Sequence, residues 1–276
     1  MQYIKLVALI ILIILIAIFL YYENNAIQIT YYNIKNRDIP EDFINYKIVQ
    51  LSDLHNKSFG ENQEKLVKLV KKINPNIIVI TGDIIDRRRY NETPSLILVS
   101  QLTQIAPVYY VTGNHEEWSG KFNDLEKKLA KYKVNVLKNQ RVEVKQGNSK
   151  VNIIGVNDYA YFQSVIEYKQ VLEDLTSKIN KSDFTLLLSH RPEKIKYYSE
   201  YHIDLALTGH AHGGQIRLPF IGGLVAPDQG LIPKYTGGFY EKGNLQMIVN
   251  RGLGNSLFPQ RLFNRPEVVV ITLKRE

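Results

Sequence analysis

"NIIVITGDIID", residues 76–86, runs five β-branched or aliphatic residues together and then stops on a glycine and two aspartates. A strand with one face in water alternates polar and apolar residues. This one does not, so it reads as a strand covered on both faces. Working outward, the same pattern recurs. "YKIVQLSDLH" (46–55) ends on Asp53 and His55, and "PVYYVTGNHE" (107–116) on Asn114 and His115. "FTLLLSHRP" (184–192) carries His190, and "IDLALTGHAH" (203–212) ends on His210 and His212. Helical patterns separate them. In "NQEKLVKLVKKI" (62–73), Leu66, Val67, Val70 and Ile73 share one face and the lysines the other. "SLILVSQLTQI" (95–105), "FNDLEKKLAKY" (122–132) and "SVIEYKQVLEDLTSKI" (164–179) read similarly. Strand–helix alternation predicts an α/β domain with its ligand-binding groups at the carboxyl ends of the strands. After His212 come Gly-rich loops and two more strands, "NLQMIVN" (244–250) and "EVVVITL" (267–273), which belong to the same domain.

The chain has 276 residues, which suits one large domain with a well-buried core. Thirty-five Lys and Arg against 27 Asp and Glu leave a net charge of +8, which favours anionic partners: phosphorylated substrates, lipid, wall polymers or nucleic acid. The 18 tyrosines are scattered and form no stacking platform, which disfavours nucleic acid. There is no cysteine, so disulfides, thiolate nucleophiles and Cys-ligated zinc are excluded. Any metal must be held by His, carboxylate or amide oxygen.

The N-terminus is a separate unit. From Leu6 to Leu20 every residue is apolar, and 13 of these are Leu, Ile, Val or Phe. At roughly −0.3 to −0.6 kcal/mol each, membrane insertion is favoured by about 4–8 kcal/mol. With Tyr21 and Tyr22 as interface anchors, residues 6–22 form a short transmembrane span. A buried core helix would need a polar residue facing outward, and a cleaved signal peptide would need a small-residue site that "FLYYENNAIQ" does not offer. An uncleaved anchor is therefore expected. Lys5 precedes it and Glu23 is the first charge after it, so residues 1–5 should stay in the cytoplasm and the domain, residues 26–276, should lie outside the cell membrane.

Asp-x-His at 53–55 and His-x-His at 210–212 place their side chains on one side of an extended chain. Five of the six histidines end strands in this way, beside Asp53, Asp83 and Asn114; His202 alone has no motif. A cluster of His, Asp and Asn at the ends of neighbouring strands is a metal-binding arrangement.

The ordered set "DLH", "GDIID", "GNHE", "SH" and "GHAH" resembles the motifs of the calcineurin-like metallophosphoesterases. "GHAHGGQIRLP" (209–219), "PKYTGGFYEKGNLQMIVNRGLGNS" (233–256) and "PEVVVITL" (266–273) resemble a bacterial subgroup of membrane-anchored or exported enzymes, similar to UDP-2,3-diacylglucosamine pyrophosphatase. The resemblance implies a four-layer αββα sandwich, two mixed sheets between helices, where strand counting alone suggests one sheet. It also implies two divalent ions: Asp53, His55 and His212 on one, Asn114, His190 and His210 on the other, and Asp83 bridging. Such a pair lets a shared water lose its proton near neutral pH and attack phosphorus in line. Mn²⁺ is favoured, with Fe or Zn²⁺ as alternatives. The family pattern puts His115 on the leaving-group side, with Asp86 orienting it and holding it charged. Arg87 matches a substrate-phosphate position, although Arg87-Arg88-Arg89 is also an ordinary solvated charge run. Arg251 could bind a distal phosphate among its glycines or be a surface arginine in a turn. Glu116 could tune its neighbours. The leading expectation is a membrane-tethered phosphoesterase or pyrophosphatase on an envelope or lipid-linked substrate. The alternatives are a phosphodiesterase or nuclease, and a non-catalytic module binding anionic wall polymers.

Overall fold

The computed structural model describes residues 1–256 and 258–276. The apolar N-terminal stretch forms one helix, α1 (Gln2–Asn25), a turn longer at its C-terminal end than the span ending at residue 22. None of its most apolar 18 residues is covered by the rest of the chain, so it is not a core helix; by length and composition it can cross a membrane. Only Glu23, in its last turn, is buried.

The strands form two six-stranded sheets. The first contains β1 (Gln28–Lys35), β2 (Lys47–Leu51), β3 (Ile77–Thr81), β4 (Val108–Val111), β5 (Asn135–Val136) and β16 (Glu267–Lys274), in the order β1-β16-β2-β3-β4-β5. The second contains β6 (Gln140–Gln146), β7 (Ser149–Gly155), β8 (Thr185–Leu188), β9 (Leu205–Thr208), β14 (Gly238–Lys242) and β15 (Leu245–Val249), in the order β14-β15-β9-β8-β7-β6. Both are mixed: β16 runs antiparallel to β2 beside the parallel set β2-β3-β4, and β6 runs antiparallel to β7 beside the parallel set β7-β8-β9. Two short hairpins, β10–β11 (Arg217–Leu218 with Gly222–Gly223) and β12–β13 (Val225–Ala226 with Gly230–Leu231), stand between β9 and β14.

Three apolar clusters define the layers. One packs Val49, Leu51, Ile78 and Ile80 of the first sheet against Leu66 and Val70 of α2 (Glu64–Ile73), Leu98 of α3 (Thr93–Leu102) and Leu125 of α5 (Phe122–Lys131). The second lies between the sheets, where Ile48, Val79 and Ile271 meet Ile153, Leu186 and Leu207. The third packs Leu187, Ala206 and Met247 against Tyr168 and Leu172 of α6 (Val165–Thr176) and Tyr198 of α7 (Ile195–Tyr198). Every core strand therefore buries both faces, which is why β3 shows no alternation. The result is a mixed α/β fold of two sheets between helices, as the resemblance implied.

The carboxyl ends of the sheets are fastened to each other. Gln50 donates from Nε2 to the Thr208 carbonyl at 2.9 Å, and Asn250 donates from Nδ2 to the Gln50 carbonyl at 3.1 Å. The loops after β2, β3, β4, β8 and β9 consequently converge on one edge.

Candidate metal centre

Those loops turn sharply. Asp53, His55, Asp83, His210 and His212 all have positive φ, between 46° and 65°. A non-glycine residue in the left-handed region costs about 1 kcal/mol or more, and such residues concentrate at functional sites. Asp53 and His55 are thus neighbours through a tight turn and not through the alternation of an extended strand. His210 and His212 also sit in left-handed turn positions, but their side chains go to different groups. The turns are held by the backbone: Asp53 N donates to Gly82 O at 3.0 Å, His55 N to Asp83 O at 3.1 Å, and Gly209 N to His190 O at 2.9 Å. Two glycines clear room for the carboxylates. A Cβ on Gly113 would lie 2.2 Å from Asp83 Oδ1, and one on Gly209 would lie 2.5 Å from Asp53 Oδ2.

The side chains form two groups that share Asp83: Asp53, His55, Asp83 and His212 in one, Asp83, His190 and His210 in the other. His55 Nε2 is 3.1 Å from His212 Nε2, and His190 Nε2 is 3.1 Å from His210 Nδ1. Asp83 Oδ2 stands 3.6 Å from His55 Nε2 and 3.3 Å from His190 Nε2, touching both groups. Asp53 Oδ1 is 3.4 Å from His212 Nε2. The Asn114 amide oxygen is buried and has no hydrogen-bond partner, although an orphaned buried acceptor costs about 1–3 kcal/mol.

Two rings have their tautomers fixed from behind. His190 Nδ1 faces the Thr81 carbonyl at 2.6 Å and donates to it, leaving the Nε2 lone pair to point into the cluster. His210 Nε2 donates to Asp228 Oδ2 at 2.9 Å, leaving Nδ1 free for the same purpose. Converging lone pairs, an unpartnered amide oxygen and two carboxylates without a thiolate fit divalent cations.

The charges agree. Burial opposes ionisation of Asp83, but the His190 charge and hydrogen bond outweigh it and hold its carboxyl well below the usual range. Burial also opposes protonation of His190, yet the Asp83 and Asp53 charges carry it up to about 10, so that without a cation Nε2 holds a proton in the place of one. His55 is pushed down to about 3 by burial, and His212 well down for the same reason, so both are neutral donors. The two carboxylates thus create a strong demand for positive charge.

Asn114 and His115 do not lie on opposite sides of a strand. They open a short helix, α4 (Asn114–Ser119), so their side chains diverge by about 100° around its axis. Together with Asp83, Arg87, Trp118, His210, His212 and Asp228 they line a cavity of about 270 Å³. Arg87 stacks on Trp118, 4.6 Å from the ring centroid, with its head at the cavity wall. The His115 ring meets the His55 ring edge-on at 4.5 Å. Its Nδ1 accepts from the Arg87 amide at 3.1 Å, while Asp86 Oδ1 is 3.5 Å away, beyond a hydrogen bond. Asp86 instead caps the turn 87–89, accepting from the Arg88 amide at 2.9 Å and from the Arg89 guanidinium. The expectation that Asp86 holds His115 charged is therefore revised. Burial lowers the His115 pKa, and the ring is a neutral Nε2–H donor positioned by a backbone amide.

Arg251 is not brought to the cavity. Its guanidinium pairs with Glu267 at 2.9 Å, and its stem packs on Gly237. The distal-phosphate role thus has no geometric support. His202, half-buried, lies away from the site in a surface hollow, consistent with its lack of a motif.

Two contributors were missed or underread. Glu116 is fully buried, and its carboxylate accepts from the amides of Gly113 (2.7 Å), Asp83 (2.8 Å) and Ile84 (3.0 Å). It clamps the β3 and β4 loops together, which the "GNHE" string hinted at without showing why. Burial and the Asp83 charge push its carboxyl up to about 8 against the pull of those amides. Asp228, from the Gly-rich tail, had no signal at all. The His210 hydrogen bond, reinforced by Arg191 at 2.6 Å, holds its carboxyl down at about 2. Arg191 is fixed in turn by the buried Asp158, at 2.9 Å.

Residues 46–214 match the family model described as calcineurin-like phosphoesterase. The "Uncharacterized metallophosphoesterase YkuE" of Bacillus subtilis is 32% identical over 92% of this chain and 88% of its own length. An "Uncharacterized metallophosphoesterase" of Aquifex aeolicus is 30% identical over 95% of this chain and 97% of its own. The "Phosphodiesterase YaeI" of Escherichia coli is 28% identical over 83% and 82%. With the motif order, the two-sheet fold and the dimetal His/Asp site in agreement, the chain belongs to the calcineurin-like phosphoesterases and is a metallophosphoesterase.

Proposed function

We propose that this enzyme is tethered to the cell membrane by α1 and hydrolyses phosphate esters or anhydrides of an envelope or lipid-linked substrate, using two divalent ions, with Mn²⁺ favoured. What supports the two-ion part most is the meeting of two ligand sets at Asp83. Asp53, His55 and His212 would hold one ion, and Asn114, His190 and His210 the other. When bound, such a pair activates a water for in-line attack and neutralises charge on the phosphoryl oxygens. The chain's own residues supply the rest. Arg87, stacked and pointing to the cavity, would fix the substrate phosphate. His115 would offer its Nε2–H as a hydrogen bond to the oxygen of the departing group, which would then take its proton from solvent water, the ring being locked by the Arg87 amide. Trp118 and His55 flank the His115 ring.

With Mn²⁺ added, the full chain in detergent should turn over 4-nitrophenyl phosphate or bis(4-nitrophenyl) phosphate, and chelation should abolish this. Turnover that survives chelation would contradict the metal mechanism, and no turnover of either substrate would favour the binding module. Preference for the diester would favour the second reading, diester hydrolysis, which the name of the E. coli relative supports. The motif resemblance to UDP-2,3-diacylglucosamine pyrophosphatase makes a lipid pyrophosphate a further substrate to assay.

Lys5 before the apolar run and Glu23 after it support an outward-facing domain. Protease added to wall-stripped intact cells should digest the domain. Protection until the membrane is opened would put the substrate in the cytoplasm.

A further inference from the structure

Beside the metal cavity lies a second hollow of about 400 Å³ with an opposite chemistry, within the range of small-molecule sites. Ile216, Leu224, Val225, Ala226 and Phe258 line it, and none of its described lining residues carries a charge. Pro227 and Ser256 line both spaces, so the two are neighbours. One presents Arg87, Arg88 and the ligand cluster, and the other presents hydrocarbon.

The outer edge of the apolar part is unusual for a surface in water. Val225 and Leu231 pair across the β12–β13 hairpin and are 45% and 79% exposed. Ile232 is 72% exposed with φ 50°, and Phe220 at the neighbouring turn is fully exposed with φ 67°. Left-handed turn positions are cheap for Gly or Asn and costly for a β-branched residue. Large apolar side chains held exposed there mark an interaction surface. The segment that carries Ser256 and Phe258 also grips the end of α1. Asn24 Nδ2 donates to the Pro259 carbonyl at 2.9 Å, Gln260 Nε2 donates to the Leu20 carbonyl at 3.0 Å, and Phe263 packs on Phe19 at 5.7 Å. Leu20 is the last residue of the apolar run, so the segment that lines the hollow also holds the end of that run.

We propose that this hollow holds the alkyl or acyl chain of the substrate, so that the substrate is a phosphorylated amphiphile bound with its phosphate at the metal centre and its chain along Leu224, Val225 and Phe258. The inference rests on the metal-centre reading above. The shared border at Pro227 and Ser256 selects the occupant: a molecule with its phosphate at the metal centre would carry its substituent toward the apolar hollow. Placement at the root of the anchor lets a lipid enter without leaving the membrane surface entirely.

The test uses the full chain with Mn²⁺ in one non-ionic detergent at fixed concentration. The substrates are n-alkyl 4-nitrophenyl phosphate diesters and n-alkyl monophosphates from ethyl to octyl. A fully buried methylene yields about fourfold. Burial in an open hollow yields less, so kcat/KM should rise on the order of 10²-fold from ethyl to octyl. In Val225→Asp and Phe258→Asp, exposed positions on separate segments, the octyl-to-ethyl ratio should fall at least about tenfold, the loss of two buried methylenes or so. A flat chain-length profile in an active enzyme would overturn the proposal, as would a steep profile unchanged in both variants. If nothing is turned over, the phosphoesterase reading has failed instead. Binding of octyl against ethyl phosphate, followed by fluorescence of Trp118, the chain's one tryptophan, then decides the matter: equal affinities overturn it.

Discussion

Asp83→Asn is expected to lose both metal ions and to reduce kcat by more than about 10³-fold, since removing even one charge-stabilising donor from a hydrolytic site costs about 10²–10³. The substitution is close to isosteric, and the retained amide oxygen can still accept the His115 backbone N–H that Asp83 Oδ1 takes at 2.8 Å. What disappears is the shared negative charge, within 3.6 Å of a ring nitrogen from each ligand set. Asp53→Asn is the control. Asp53 belongs to one group only, so its loss should weaken one ion and spare the other. Elemental analysis and single-turnover rates on matched samples read both effects. An Asp83→Asn enzyme that keeps one full ion equivalent, or differs little from Asp53→Asn, would mean that Asp83 does not bridge.

His115→Ala should separate chemistry from metal binding. The side chain groups with His55 and Asp86, outside the two sets that share Asp83, so both ions should stay. On an alkyl ester, whose leaving alkoxide needs a hydrogen-bond donor as its bond to phosphorus breaks, the rate should fall about 10²–10³-fold. On a nitrophenyl ester, whose leaving group departs without help, most of the activity should survive. Asp86→Asn should have a smaller effect, because the Arg87 amide and not Asp86 holds the His115 ring. Equal losses on good and poor leaving groups, with both metals retained, would remove His115 from the leaving-group side.

Much of the centre was legible because its residues follow buried strands whose apolar runs cannot be mistaken for turns. β2, β3, β4, β8 and β9 appear where the unbroken runs put them, each ending at its ligand. What local pattern could not supply was the pairing. β16, from the C-terminus, inserts between β1 and β2, and that register depends on contacts more than 200 residues apart. The β6–β7 hairpin, with its Gly147-Asn148 turn, shows in the sequence only as the alternation of "RVEVKQ", a mostly exposed edge strand without an unbroken apolar run. Within the site, the motif strings carried Asp53, His55, Asp83, His210 and His212 but not their conformation. Alternation along an extended chain gave Asp53 and His55 as neighbours for the wrong reason, and His210 and His212 go to different groups. Asp228 and Arg191 act through His210 across a loop of no recognisable pattern, so only the folded chain brings them together. Arg251 failed for the converse reason. A glycine-flanked arginine looks available in a sequence, and nothing local announces that Glu267 will take its guanidinium.

The most direct measurement is the metal content of the intact enzyme. The full chain, loaded with Mn²⁺ and freed of excess by gel filtration, should carry two ions per chain by elemental analysis. One ion or none in a folded, fully loaded sample would contradict the division of the ligands into two sets around Asp83.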